Sequence, residues 1–149
     1  MERSEPFVLK PGEARPNAQG GEGYETAFKL VGRDTGGTFS LLEWALQPCQ
    51  EGPGLHQHSF DEAFYILSGQ VRFQIGETAQ VLGPGQLAWM PRNTPHSFSN
   101  AGAEIAMGLT VSTPGGLETV FDALRAGDAP PAEFRLERLG PAVNASEAC

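Results

Sequence analysis

Lysine is absent beyond residue 29, and the 149-residue chain sets only 10 Lys and Arg against 18 Asp and Glu, a formal net charge of −8. A surface so short of cations has no basic patch with which to displace counterions, which argues against a nucleic-acid or anionic-membrane partner. No apolar run reaches the ~20 residues that a bilayer crossing needs. The opening MERSEPFVLKPGEARP lacks an apolar signal-peptide core, so the expected location is the cytoplasm. Cysteine is almost missing. Cys49 and Cys149 are too few for a disulfide framework, and two free thiols in a reducing compartment are the expectation.

Glycine and proline, by contrast, are plentiful: 19 Gly and 12 Pro make about a fifth of the chain. Such a turn-rich composition disfavours a helical bundle and favours many short strands. PFVLKPGEARP reads as a short apolar strand, and GGEGY at 20–24 as a loop. YETAFKLV, TFSLLEWAL, EAFYILSG, QVRFQIGE, TAQVL and LAWM follow as strands closed by Gly or Pro, and SFSNAGAEIAMGLTVST adds two more. Nine or ten strands at this spacing predict an all-β sandwich or barrel. One helix is expected, because Leu117, Val120, Phe121 and Leu124 repeat at i, i+3, i+4 and i+7 and Gly127 can end it. Thr113 could cap it with Pro114 at the first position, or it could begin near Gly116. Its stripe is expected to pack on the outside of the barrel. The chain then divides into an N-terminal strand and Gly-rich loop (1–23), a β-barrel core (24–112), a helix and packing segment (113–140) and a disordered polar tail (141–149).

The three histidines stand in a pattern. His56 and His58 are two apart, so on a strand they share a face, Glu62 follows in the same phase, and His96 opens a later strand. A lone His-x-His is as readily an accident as a site. Here, however, every histidine of the chain joins the pattern, and inward faces of neighbouring strands could bring all four side chains to one point. Imidazole and carboxylate suit one divalent first-row metal (Fe, Mn, Ni, Co, Cu or Zn, undetermined by ligand type), with an open position for water or substrate. By alternation Phe64 and Ile66 share the face of Glu62, and Phe98 and Asn100 that of His96, an expected aromatic pocket. The faces of Trp44, Trp89 and Met90 stay open, and Glu43 could be a buried partner, an acid near the site or an outward charge.

H56-Q-H58-S-F-D-E62-A-F-Y-I-L-S-G69 resembles the first signature of the cupin superfamily, and G85-Q-L-A-W-M-P91-R-N-T-P-H96-S-F-S-N100 the second. Asn93 stands where the family usually has Gly, and Asn is the residue that best tolerates a left-handed backbone in its place. The runs L30-V-G-R-D-T-G-G-T-F-S-L-L-E43 and V111-S-T-P-G-G-L-E-T-V-F121 extend the likeness, over about residues 7–126, to single-domain quercetin 2,3-dioxygenase-like cupins. The resemblance implies a double-stranded β-helix (jelly-roll) barrel with His56, His58, Glu62 and His96 as metal ligands and Glu62 as catalytic base. It also implies a homodimer.

With no fourth histidine, proton transfer would fall to Glu62, Asp61 or a metal-bound water. The substrate class implied is a small apolar or aromatic molecule, flavonol-like or enediol, reacting with O2. A non-redox cyclase or isomerase and a non-catalytic small-molecule binder are the alternatives. Between the two motifs the only cations are Arg72 and Arg92, which argues against phosphosugar chemistry.

Overall fold

The computed structural model describes residues 2–15, 24–145 and 149. Alternation of apolar and polar residues produces ten strands among them: β1 (Glu25–Leu30), β2 (Ser40–Leu46), β3 (His56–His58), β4 (Asp61–Ser68), β5 (Val71–Ile75), β6 (Thr78–Leu82), β7 (Leu87–Met90), β8 (His96–Asn100), β9 (Ala106–Thr113) and β10 (Leu136–Arg138). They pair antiparallel in two five-stranded sheets, ordered β1-β2-β9-β4-β7 and β10-β3-β8-β5-β6. Ser40, Leu42, Trp44 and Leu46 of β2 turn inward in strict alternation, and the all-β expectation holds.

The sheets face each other across a core of Trp44, Leu46, Phe64, Ile66, Val71, Phe73, Met90 and Phe98. Trp44 is the largest fully buried side chain. It lies opposite Gly108 in the β2–β9 register, and a Cβ at Gly108 would come within 2.2 Å of the indole. Its Nε1–H donates to Thr110 Oγ1 at 3.0 Å, satisfying the one polar atom of the ring. Met90 is therefore inward like Trp44, whereas Trp89 is 54% exposed. Glu43 is outward, 3.6 Å from Lys29 Nζ.

A second cluster fills one end of the barrel: Phe28, Leu42, Phe60, Leu117, Val120 and Phe134. It corrects the placing of the helix. α1 (Leu117–Ala126) starts after Gly116 and not at a Thr113 cap, and it closes the end of the barrel instead of lying on its outside. Gly116 has φ 133°, and a Cβ there would strike the Phe134 ring at 2.6 Å. Glu118 fastens the first turn by accepting from Gly32 N–H and Ser40 Oγ–H, and Gly127 ends the helix in the left-handed conformation as expected.

Both chain ends depart from expectation. Residues 2–10 form no strand; Val8 is 91% exposed, and Arg15 instead holds Asp34 through two 2.8 Å hydrogen bonds. Of the Gly-rich loop expected at 20–24, residues 20–23 lie outside the described residues. At the other end, residues 141–145 lie along the outer side of β8, where Val143 N–H donates to Ser97 Oγ and Ser99 Oγ–H to the Val143 carbonyl. β8 is thereby buried on both faces. The expected tail is thus anchored over 141–145, and its residues 146–148 lie outside the described residues.

Cys49 and Cys149 form a disulfide, so the expectation of free thiols is corrected, and with it goes the thiol argument for a reducing compartment. The packing of 141–145 carries the chain end back beside the 47–52 loop, a proximity that 100 residues of separation concealed. No helix among the described residues is long and apolar enough to cross a membrane.

A bridge that closes a loop of this length removes much of the unfolded chain's freedom. Cys149→Ser, or reduction, is expected to lower unfolding free energy by about 2–4 kcal/mol in urea titrations. Thiol titration of the unfolded, unreduced protein should find no free thiol; two would contradict the bridge.

Candidate metal centre

His56 and His58 lie on β3, and His96 opens β8 directly opposite His56 in the sheet register. Glu62 comes from the facing sheet. The chain turns a corner at Ser59–Phe60, pinned where Ser59 N–H donates to the Arg135 carbonyl at 3.0 Å and Ser59 Oγ–H to that of Glu133 at 2.9 Å. The phase shared by His58 and Glu62 is thus produced by a crossing between sheets, not by one continuous strand. Asn93, with φ 62°, takes the left-handed turn ahead of His96, and its N–H donates to the His58 carbonyl at 2.7 Å.

Each imidazole is oriented by a backbone carbonyl. Nδ1 of His56 meets the Gly54 carbonyl at 2.6 Å, that of His58 the Phe60 carbonyl at 2.9 Å, and that of His96 the Thr94 carbonyl at 2.8 Å. A carbonyl only accepts, so each Nδ1 carries the proton and directs Nε2 to the centre of the group. The ligand atoms of the three lie within 4.8 Å of one another. Glu62 Oε2 is 2.9 Å from His58 Nε2 and 3.4 Å from His96 Nε2, while Ser112 Oγ–H donates to Oε1 at 3.1 Å.

Burial alone would raise the Glu62 carboxyl, but the charge and hydrogen bonding of His58, with His96, hold it well below the usual carboxylate range. Burial alone would likewise lower His58; the Glu62 carboxylate and its hydrogen bond reverse the sign and raise it. His56, desolvated and facing His96, is pushed down to about 4. His96 Nε2 is buried without a hydrogen-bond partner. Converging lone pairs and a carboxylate at these distances repel unless a proton or a cation lies among them. The donor set therefore fits a metal, and the three histidines could hold one ion.

Glu62, His56 and His58 line a cavity of about 80 Å³ together with Phe64, Phe98, Tyr24, Trp44 and Thr110 and with the Leu117, Val120, Phe121 and Leu124 stripe of α1. Two of the expected pocket residues do not reach it. Ile66 is wholly buried in the main core. Asn100 is a structural tie whose Nδ2 donates to the carbonyls of Leu46, Gln47 and Glu104. Asp61 is no proton carrier for this site either: it points out of the barrel and binds Arg92 through backbone and guanidinium. The reading of the sequence also missed Arg125 and Arg138, which line the cavity from α1 and β10. They lie after the second motif, and only the folding back of the C-terminal segment reveals them.

Two facing antiparallel sheets with a polar site inside one end define a double-stranded β-helix. Residues 42–112, the stretch from β2 to β9, match the cupin domain family. No curated protein matches the chain. Among solved structures it is similar to a double-stranded β-helix protein from Klebsiella pneumoniae, at 22% identity over 74% of this chain and 92% of that one, with TM-score 0.59. It is similar also to a variant of Bacillus subtilis oxalate decarboxylase (25% identity, 63% of this chain, 26% of that one, TM-score 0.56). A sugar phosphate isomerase of the superfamily from Silicibacter pomeroyi is a third (23% identity, 59% of each chain, TM-score 0.52). The chain thus spans under two thirds of the isomerase and about a quarter of the decarboxylase.

Elemental analysis of purified protein is expected to find about one divalent transition metal per chain, lost in His58→Ala with the fold kept by circular dichroism. Equal metal in both proteins would remove the site.

Proposed function

We propose that the protein is a metal-dependent dioxygenase acting on a small electron-rich aromatic or enediol molecule, with His56, His58, Glu62 and His96 as the metal ligands. One observation carries the reading: the three Nε2 atoms converge beside Glu62, and His56, His58 and Glu62 line a cavity whose remaining wall is mainly aromatic and aliphatic, with Thr110, Arg125 and Arg138 among it. A bound metal would draw in a substrate oxygen and give access to O2, the substrate itself supplying the electrons.

The protein's own residues do the rest. Ser112 occupies one Glu62 oxygen and leaves Oε2 toward the histidines. A carboxylate held well below its usual range is a weak base, suited to an acidic phenol or enol O–H and not to an unactivated C–H. Aromatic walls orient a planar ring and keep water away. At ~10–15 Å³ per water-sized group, a cavity of about 80 Å³ encloses roughly a single ring. A simple catechol or enediol therefore suits the enclosed part, and a flavonol would extend beyond it.

Oxygen-electrode and absorbance assays with catechols and flavonols, on protein loaded separately with Fe, Mn, Ni, Co and Cu, test the proposal. Oxygen uptake should match substrate loss, and Glu62→Gln should reduce turnover by about 10²-fold or more. Anaerobic conversion would indicate a cyclase or isomerase, and a spectral shift without turnover a binder. Turnover independent of metal, or untouched in Glu62→Gln, would defeat the mechanism.

We also propose that two copies pair through the outer face of the first sheet. Leu41, Val111, Ala63 and Trp89 form one cross-strand row there, and Leu109, Tyr65 and Leu87 continue the next. Trp89 and Leu87 are more than half exposed, an apolar surface that a second identical face could cover. Light scattering should give a dimer mass that Trp89→Arg reduces to a monomer; a monomeric wild type at micromolar concentration would refute the pairing.

A further inference from the structure

We propose that the Cys49–Cys149 disulfide is a redox-sensitive staple that governs metal affinity at the site, an inference that rests on the reading of His56, His58 and His96 as metal ligands. β3 carries two of these histidines, yet it is only three residues long. It meets β8 at one register pair, His56 with His96, and β10 at three, from Leu136 with His58 to Arg138 with His56. β10 therefore supplies most of the pairing that fixes β3, and it is itself an edge strand. A short edge strand opens readily unless its ends are tied.

Ser59 ties the first end of β10 by bonding Glu133 and Arg135. The second end runs on through Leu139, Gly140 and Pro141, which all bond Leu55, and Val143, which bonds Ser97 and Ser99. Cys149 then joins this segment to Cys49. From Cys49 the other arm passes Gln50 and Gly52, bonded to Asn100 and Phe98 of β8, and reaches Gly54, whose carbonyl orients His56 at 2.6 Å. The two arms thus meet at Gly54 and Leu55, beside a metal ligand. Both cysteines are exposed, so a dithiol reductant can reach the bridge. Its thiolate attacks one sulfur and its second thiol resolves the mixed disulfide. Two electrons and two protons pass to Cys49 and Cys149, and the reductant leaves as a disulfide. Hydrogen bonds alone then hold the second arm, and His56 is less firmly oriented. Support of this kind behind a ligand is worth about 10–100-fold in metal affinity.

Zinc, which cannot reoxidise thiols, is the probe: its affinity is measured by competition with a chromophoric chelator on oxidised protein and on protein reduced with dithiothreitol and desalted without air. Reduction should weaken zinc binding by about tenfold or more. Cys149→Ser should match the reduced form and no longer respond to the reductant. Ile66→Val, which costs core stability without touching the bridge, should bind zinc as the oxidised wild type does. In metal-free, folded protein the amide resonances of Leu55, Leu139 and Gly140 should shift or broaden on reduction while those of β5 stay in place. Equal zinc affinity in the two redox forms, an equal loss in Ile66→Val, a reductant effect that persists in Cys149→Ser, or unmoved resonances at those three amides would overturn the proposal. Zinc bound by neither form would defeat the metal reading, and the amide resonances, recorded without metal, would still decide whether the bridge holds the support of His56.

Discussion

Three backbone carbonyls hold the whole arrangement in place. By fixing the Nδ1 protons of His56, His58 and His96 they leave three Nε2 lone pairs facing one buried carboxylate. Such a cluster is unfavourable by itself, because burial strips water from a charge and from polar atoms that cannot satisfy one another. It persists only where the surrounding framework is rigid and where a proton or cation completes it. The two sheets supply that rigidity: the histidines belong to one and Glu62 to the other, so the distance across the site is the distance across the barrel.

The carbonyls are in turn positioned by segments far away in sequence. Gly54 precedes Leu55, whose N–H donates to the Pro141 carbonyl and whose own carbonyl accepts from Leu139 and Gly140. A Cβ at Gly54 would lie 2.8 Å from the Gly140 carbonyl oxygen, so this close approach requires glycine. The chain end that holds Gly54 is itself joined to Cys49 by the disulfide. Phe60, whose carbonyl orients His58, stacks on that imidazole at 3.8 Å and packs against Phe134. The residues after 130 are therefore part of the metal centre's support, and through Leu136 and Arg138 they are also part of the cavity.

The cavity wall is mixed in polarity. Trp44 Nε1–H and Thr110 Oγ1 satisfy one another, whereas His96 Nε2 beside Glu62 is left without a hydrogen-bond partner. The guanidinium groups of the exposed Arg125 and Arg138 belong to the same lining as the apolar stripe of α1. Placing the helix over the barrel end converts its stripe from ordinary packing into a wall. Glu118 makes that placement definite by joining the first turn to Gly32 and Ser40, on two different segments.

Local chemistry determined much of this protein from sequence alone. Alternation specified the strands and the inward faces of Phe64 and Phe98, glycine and proline marked the turns, and the tolerance of Asn for a left-handed backbone accounted for Asn93. The histidine pattern located the site, because residues two apart on a strand must share a face. What tertiary structure alone decided has a common physical origin in contacts between residues distant in the chain. Ile66 and Asn100 have the right alternation, yet depth in the barrel, which period two does not encode, puts them beyond the cavity. The helical period of 117–124 defined a stripe but not the surface that would receive it. Arg138, the Cys49–Cys149 bridge and the anchoring of 141–145 all depend on the last segment returning across β3 and β8. Such a return costs chain entropy and is repaid only by partners some 40–100 residues away, as in Ser97 with Val143 and Cys49 with Cys149.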